Sequence, residues 1–143
     1  MQLSTIIAAK GTEVITITPQ SSVADLVALL AEHRIGALVV SPDGRTIAGI
    51  VSERDVVQAV ASGPDSLKAE VSTIMTSTVF CAPADAHIDD LMHLMTDKRI
   101  RHVPIKDDDG LLMAIVSIGD VVKSRLGELE GERQALLEYI TKG

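Results

Sequence analysis

An eight-residue segment occurs twice in this chain, first as IVSERDVV at 50–57 and again, slightly altered, as IVSIGDVV at 115–122. When the chain is shifted by 65 positions, the similarity extends well beyond these octets. The segments 23–30 and 88–95 then coincide, each with apolar residues at the spacing i, i+3, i+4 and i+7 that marks one buried face of a helix. This internal duplication constrains the fold more than any other feature, because both copies must form the same unit.

Turn residues lie between two apolar runs in both copies. They are Pro-Asp-Gly at 42–44 and Asp-Asp-Asp-Gly at 107–110, a pattern typical of a hairpin connection. Each copy therefore predicts the order strand, helix, strand, tight turn, strand, helix, over 14–61 and 79–126. The connector between the copies ends in a segment, 71–75, that predicts a short helix.

One such unit, a three-stranded sheet half covered by helices, buries little surface alone. We therefore expect the two copies to pair with pseudo-twofold symmetry, which leaves two related clefts between the halves. The predicted fold class is α/β (α+β), with two β-α-β-β-α repeats and a C-terminal helix. The predicted domains are 10–68 and 75–130, followed by a helical tail at 131–143. The segment 3–9 predicts an element ahead of the first repeat equivalent to the one at 71–75.

The C-terminal segment is polar and helical from residue 123 onward. Glycines at 127 and 131 weaken such a helix by about 1 kcal/mol each relative to alanine. An irregular apolar stripe indicates a docking or dimer-contacting helix rather than core, and it consists of Leu126, Leu129, Leu136, Leu137 and Ile140.

Composition excludes several classes of protein. Phe80 and Tyr139 are the only aromatic residues, which argues against single-strand nucleic-acid binders that stack bases. The net charge of −7 argues against a broad nucleic-acid interface. Cys81 is the only cysteine, so an internal disulfide is excluded. The N-terminus lacks a secretory signal, and no uncharged apolar stretch approaches the roughly 18 residues that span a bilayer. We expect a cytoplasmic protein without membrane or nucleic-acid partners.

The Ser-x-x-Asp of each octet has two interpretations. Ser52 and Ser117 at a helix N-cap, with Asp55 and Asp120 three residues later, resemble a capping box. Glu or Gln would complete that box more readily because the side chain reaches further. A short carboxylate at a helix start can instead accept hydrogen bonds from a sugar diol, next to free N–H groups that suit a phosphate. The octets alone leave both interpretations open.

The ordered set of motifs is similar to a tandem pair of cystathionine-β-synthase (CBS) domains, also called a Bateman module. The segments that carry this resemblance are AGIVSERD at 48–55, AIVSIGD at 114–120, RIGALVV at 34–40 and RIRHVPI at 99–105. The resemblance covers nearly the whole chain. It implies that the Asp of each octet binds the ribose hydroxyls of an adenine nucleotide, with the Ser near phosphate and the adenine between strands of both repeats.

Carried over residue by residue, the resemblance implies two nucleotide sites. The first consists of Thr18, Ile35, Gly36, Arg101, His102, Ser117, Ile118, Gly119 and Asp120. The second consists of Ser52, Arg54, Asp55, Ala82 and Ile100, with Arg101 also opposite the carboxylate. The second is the weaker site, because Ala82 replaces the hydroxyl of Thr18. Arg101 and His102 are expected to face phosphates from the start of a strand, whereas Lys98 and Arg99 are assigned to a solvated helix end.

The implied function is that of a regulatory sensor, with no enzymatic activity. Its ligand would be AMP, ADP, ATP or NADH, with S-adenosylmethionine also compatible. The protein would form a homodimer and couple ligand occupancy to a partner protein. The alternative is a constitutive dimeric scaffold with vestigial clefts. No G-x-S-x-G, H-E-x-x-H or Walker motif is present, so no catalytic residues are assigned. No metal site is expected either, because the acidic run at 107–110 lacks the other ligand positions of a calcium loop.

Overall fold

A computed structural model of the chain describes residues 3–11 and 14–142. The first repeat contains β1 (Thr16–Ile17), α2 (Val23–His33), β2 (Ala37–Val40), β3 (Gly49–Ser52) and α3 (Glu53–Ala61), after the N-terminal helix α1 (Leu3–Lys10). The second contains β4 (Ala82–Pro83), α4 (Ile88–Lys98), β5 (His102–Lys106), β6 (Leu112–Ser117) and α5 (Ile118–Lys142). Two short 3-10 helices, Pro64–Lys68 and Val71–Thr73, lie in the connector. The predicted order of elements is confirmed in both repeats.

The two sheets have the same topology. The strand orders are β1-β2-β3 and β4-β5-β6. Strands β1 and β2, like β4 and β5, are parallel, whereas β2 and β3, like β5 and β6, are antiparallel. Ala37 pairs with Ser52 in one sheet, and His102 pairs with Ser117 in the other. This register places the serine that opens each final helix beside the start of the central strand of the same sheet.

Each repeat is covered by the segment that precedes the other one. Leu3 and Ile6 of α1 are buried in a cluster with core residues of the second repeat, such as Leu91. Val71 is buried in the cluster of the first repeat, with Leu38. The segments at 3–9 and 71–75 are therefore equivalent, as predicted. This exchange covers sheet faces that one repeat alone would leave exposed.

Helix α5 crosses the predicted bound between the second domain and the tail at 130/131 without a break. The tail is therefore a continuation of the last helix of the second repeat, because two glycines cost an α-helix only about 1 kcal/mol each. The apolar stripe named above is exposed along it. Among residues 3–11 and 14–142, no helix has the length and apolar character to cross a membrane.

Candidate functional site

The Ser-x-x-Asp pairs form the N-terminal caps of α3 and α5. The backbone N–H of Ser52 donates to Asp55 Oδ2 at 2.8 Å, and that of Ser117 donates to Asp120 Oδ2 at 2.9 Å. In return each serine Oγ accepts from the backbone N–H of its aspartate, at 3.5 and 3.1 Å. The capping interpretation is confirmed in both octets.

Capping does not exclude ligand binding, because it uses one carboxylate oxygen. In both caps the bonds go to Oδ2, and no described residue donates a hydrogen bond to Oδ1 of Asp55 or Asp120. Each carboxylate thus keeps one oxygen that can accept from a hydroxyl group. The two interpretations left open by the octets are compatible.

Each of these carboxylates lines a separate cleft between the repeats. The Asp55 cleft, of about 330 Å³, is lined by Ser52, Glu53, Arg54, Asp55, Arg99 and Arg101 among its polar residues. The Asp120 cleft, of about 380 Å³, is lined by Lys10, Arg34, His102, Ser117 and Asp120 among its polar residues. Both volumes lie in the range of small-molecule sites. Gly36, Ala37 and His102 line both clefts, so they form the wall between them.

In the Asp55 cleft the structure brings together Ser52, Arg54, Asp55 and Ile100, as the second predicted site has them. Ala82 is not among the described residues that line this cleft, because it lies buried in β4. Arg101, predicted for both sites, is among the described residues that line the Asp55 cleft and is absent from the described lining of the Asp120 cleft.

In the Asp120 cleft the structure brings together five predicted residues, namely Ile35, Gly36, His102, Ser117 and Asp120. Thr18, Ile118 and Gly119 are absent from the described lining. The hydroxyl of Thr18 lies 2.6 Å from that of Ser21 in the turn before α2, and the side chain of Ile118 is exposed.

Lys10 is a residue of the Asp120 cleft that the sequence does not reveal. Its Nζ donates to Asp120 Oδ2 at 2.6 Å, from the last residue of α1. Burial raises the pKa of Asp120, but the hydrogen bonds from Lys10 and from Ser117 outweigh it and hold that pKa below its ordinary value. Asp120 is therefore a carboxylate at neutral pH.

His102 is the residue of the shared wall that can titrate. Burial lowers the pKa of His102, and the nearby charge of Lys10 acts in the same direction. The carboxylates of Asp120 and Glu53 oppose this shift without cancelling it. The imidazole is accordingly neutral at pH 7. It lies so close to Gly36 that a Cβ there would be 3.4 Å from its Cε1.

Three further residues line the clefts although none of them was predicted as a site residue, namely Arg34, Arg99 and Phe80. The assignment of Arg99 to a solvated helix end is incomplete, because this exposed residue lines the Asp55 cleft. Phe80 lies in the same cleft, with Lys98 Nζ 5.1 Å from its ring centroid. The duplication could have indicated the two arginines as cleft residues, since Arg34 and Arg99 occupy equivalent positions of the two repeats.

The acidic run at 107–110 forms a hairpin turn. Asp107 Oδ1 accepts hydrogen bonds from the backbone N–H groups of Asp109 and Leu111, both at 2.9 Å. Within the described ranges, no group of three or more His, Cys, Asp or Glu side chains is arranged to hold a metal ion.

Comparison with known proteins agrees with the duplicated architecture. The family profile described as "CBS domain" matches residues 10–62 and 71–127. The chain is 37% identical over 131 residues to the mitochondrial CBS domain-containing protein CBSX3 of Arabidopsis thaliana, covering 88% of this chain and 63% of that protein. It thus spans less than two thirds of the length of that relative.

Solved structures show the same fold. A CBS-domain protein of Agrobacterium tumefaciens has 41% identity and a TM-score of 0.81, over 87% of this chain and 98% of that one. The structure of CBSX2 in complex with AMP has 27% identity and a TM-score of 0.69, over 80% of this chain and 89% of that one. The duplicated octets, the paired sheets and these similarities have one explanation: the chain belongs to the CBS-domain family and contains two CBS domains in tandem.

Proposed function

We propose that this protein is a regulatory module that binds an adenine nucleotide in the clefts between its CBS domains and transmits occupancy to a partner protein. One observation carries the proposal. In each cleft a carboxylate with an unused oxygen, at the start of a helix, faces cationic side chains from the other repeat. We place the two domains at 10–68 and 75–130.

The arrangement suits the parts of a nucleotide. The free Oδ1 of Asp55 or Asp120 would accept from a ribose hydroxyl, and the first N–H groups of α3 or α5 suit an anion. Ile35 in one cleft and Ile100 in the other offer apolar surface to a base. The complex of CBSX2 with AMP favours AMP among the candidates, which also include ADP, ATP and NADH.

Signalling would follow from linkage rather than from chemistry. The two repeats can adopt different relative arrangements. A nucleotide that contacts both repeats stabilises the arrangement for which it has the higher affinity. Its effect is limited to the difference in affinity between the arrangements. We infer that the protein has no enzymatic activity and acts in the cytoplasm.

The exposed face of α5 supports a homodimer. Leu126, Leu129, Arg133, Leu136 and Ile140 follow the alternating spacing of three and four residues that is typical of a coiled-coil seam. All four apolar members are more than half exposed. A second copy of α5 would bury this seam, with Arg133 as a polar position within it.

The scaffold alternative retains one supporting observation, the complete caps of α3 and α5. These caps account for both Ser-x-x-Asp pairs without any ligand. A binding experiment separates the two functions.

Calorimetric titration of the wild type with AMP, ADP, ATP and NADH is the test. The matched variants are D55N and D120N, since an amide oxygen can still accept the capping bond while its NH2 group replaces the second acceptor. D25N is the control, because Asp25 lies at the start of α2, away from both clefts. We expect AMP binding in the wild type and D25N, and a loss of at least tenfold in affinity in D55N, D120N or both. Absence of binding by the whole panel would establish the scaffold, and a released product would establish an enzyme.

A further inference from the structure

Two arginines adopt a backbone conformation that their side chains disfavour. Arg34 and Arg99 follow the last residues of α2 and α4 with φ of 53° and 54°. They are the only non-glycine residues with positive φ in the described part of the chain. This left-handed conformation is usual for glycine at a helix end, because a Cβ atom crowds the neighbouring carbonyl.

The capping role does not explain why arginine stands there. The cap is formed by the backbone, with the N–H of Arg34 donating to Leu30 O and that of Arg99 to Met95 O. Glycine would make the same bonds with less strain. The strained conformation is therefore tolerated twice, at equivalent positions of both repeats, for the sake of the side chain.

Both guanidinium groups are available to a ligand. Within residues 3–11 and 14–142, neither of them forms an ion pair or a side-chain hydrogen bond. Arg34 lines the cleft whose carboxylate, Asp120, belongs to the second repeat, and Arg99 lines the cleft whose carboxylate, Asp55, belongs to the first. Each cleft thus combines a carboxylate from one repeat with an arginine from the other.

The charge of the clefts favours an anion. Among the described lining residues, the Asp120 cleft has Lys10 and Arg34 against one carboxylate. In the Asp55 cleft three arginines face two carboxylates. Each cleft therefore has one excess positive charge, in a chain whose net charge is −7. A guanidinium group binds phosphate through two parallel hydrogen bonds, which makes arginine suited to this task.

We propose that Arg34 and Arg99 are phosphate-binding residues, one in each cleft, and that they select phosphorylated nucleosides over unphosphorylated ones. The proposal rests on the nucleotide-binding function proposed above. It adds two residues that stand at the ends of α2 and α4, and it defines the ligand class of both clefts as nucleotide rather than nucleoside.

The test compares AMP with adenosine on the wild type, R34G, R99G and the double variant, by calorimetry or by displacement of a fluorescent AMP analogue. In the double variant we expect AMP affinity to fall at least tenfold, to the level of adenosine on the wild type, while adenosine affinity changes less than twofold. The melting temperature of each single variant should rise by about 3 °C, because glycine relieves the strained cap. R34K and R99K keep the charge and the strain, and should show an intermediate loss of AMP affinity without a gain in melting temperature.

The outcomes distinguish this inference from the proposed function. If the wild type binds neither AMP nor adenosine, the function itself fails. If the wild type binds AMP and the double variant binds it equally well, only the role of the arginines is overturned. A parallel loss of AMP and adenosine affinity would also overturn it, because it would show that the arginines shape the cleft rather than bind phosphate.

Discussion

Lys10 Nζ lies 2.6 Å from Asp120 Oδ2, which ties the last residue of α1 to the first turn of α5. Among the described residues Asp55, the equivalent carboxylate, forms no ion pair. The two clefts arose from one duplicated motif, yet one carboxylate is already in contact with a cation and the other is not. Lys10 partly neutralises the Asp120 carboxylate, so the free Oδ1 of Asp120 is a weaker acceptor for a ligand hydroxyl than that of Asp55.

The first prediction concerns this difference in acceptor strength. In a chain that carries D55N, so that only the Asp120 cleft is intact, K10M should raise adenosine affinity about two- to fivefold. The reason is that removal of Lys10 leaves the full negative charge of Asp120 to a hydrogen bond from the ribose, an effect comparable to the contribution of a partly exposed ion pair, on the order of 0.2–1 kcal/mol. Calorimetric titration with adenosine measures the change. R125M is the control, because Arg125 forms ion pairs outside both clefts. An unchanged or weaker affinity in K10M would show that Lys10 does not weaken Asp120 as an acceptor.

The second prediction is a pH dependence that comes from His102. Its pKa is lowered in the folded protein, mainly by burial, so the unfolded chain binds a proton more readily. The contribution of His102 to stability is present above the unfolded pKa of about 6.5 and is lost as the pH falls below it. Urea unfolding should therefore show a smaller loss of stability between pH 7.5 and 5.5 in H102Q than in the wild type. H93Q, at an exposed position of α4, should keep the wild-type slope. Equal slopes for the wild type and H102Q would contradict the assignment.

The third prediction concerns Gly49, at the start of β3. A Cβ there would lie 2.7 Å from Met75 Sδ and 2.9 Å from the backbone oxygen of Thr76. The Thr76 oxygen accepts the N–H of Ile50 at 3.0 Å, so it cannot move without breaking that bond. G49A should reduce the free energy of unfolding by about 1–3 kcal/mol. G131A, with nothing within 4 Å of the added carbon, should instead stabilise α5 by about 1 kcal/mol. Chemical denaturation measures both, and a neutral G49A would show that the connector can shift.

The fourth prediction tests the proposed homodimer. L129E combined with L136E places two charges in the seam of α5 and should convert a dimer into a monomer, because a buried unpaired charge is costly. Sedimentation velocity across a range of concentrations measures the change. Q134E adds a charge outside the seam and should remain dimeric. A wild type that is monomeric at all concentrations would exclude the dimer, and a dimer that persists in the double variant would place the interface elsewhere.

Much of this protein follows from local sequence patterns. The shift of 65 positions, the helical spacing of apolar residues and the turn residues at 42–44 and 107–110 determine the order of elements in both repeats. The caps at Ser52 and Ser117 follow as well. These features are determined by the sequence because capping bonds, turns and helical periodicity involve residues only a few positions apart.

Tertiary structure alone decided which side chains share a cleft. Arg99 lines the Asp55 cleft, while Arg34 and Lys10 line the cleft of Asp120. Lys10 and Asp120 are 110 positions apart in the chain. They meet because α1, which lies directly before the first repeat, packs on the second. Such contacts depend on how the two halves are oriented, and the periodicity within each half carries no information about that orientation.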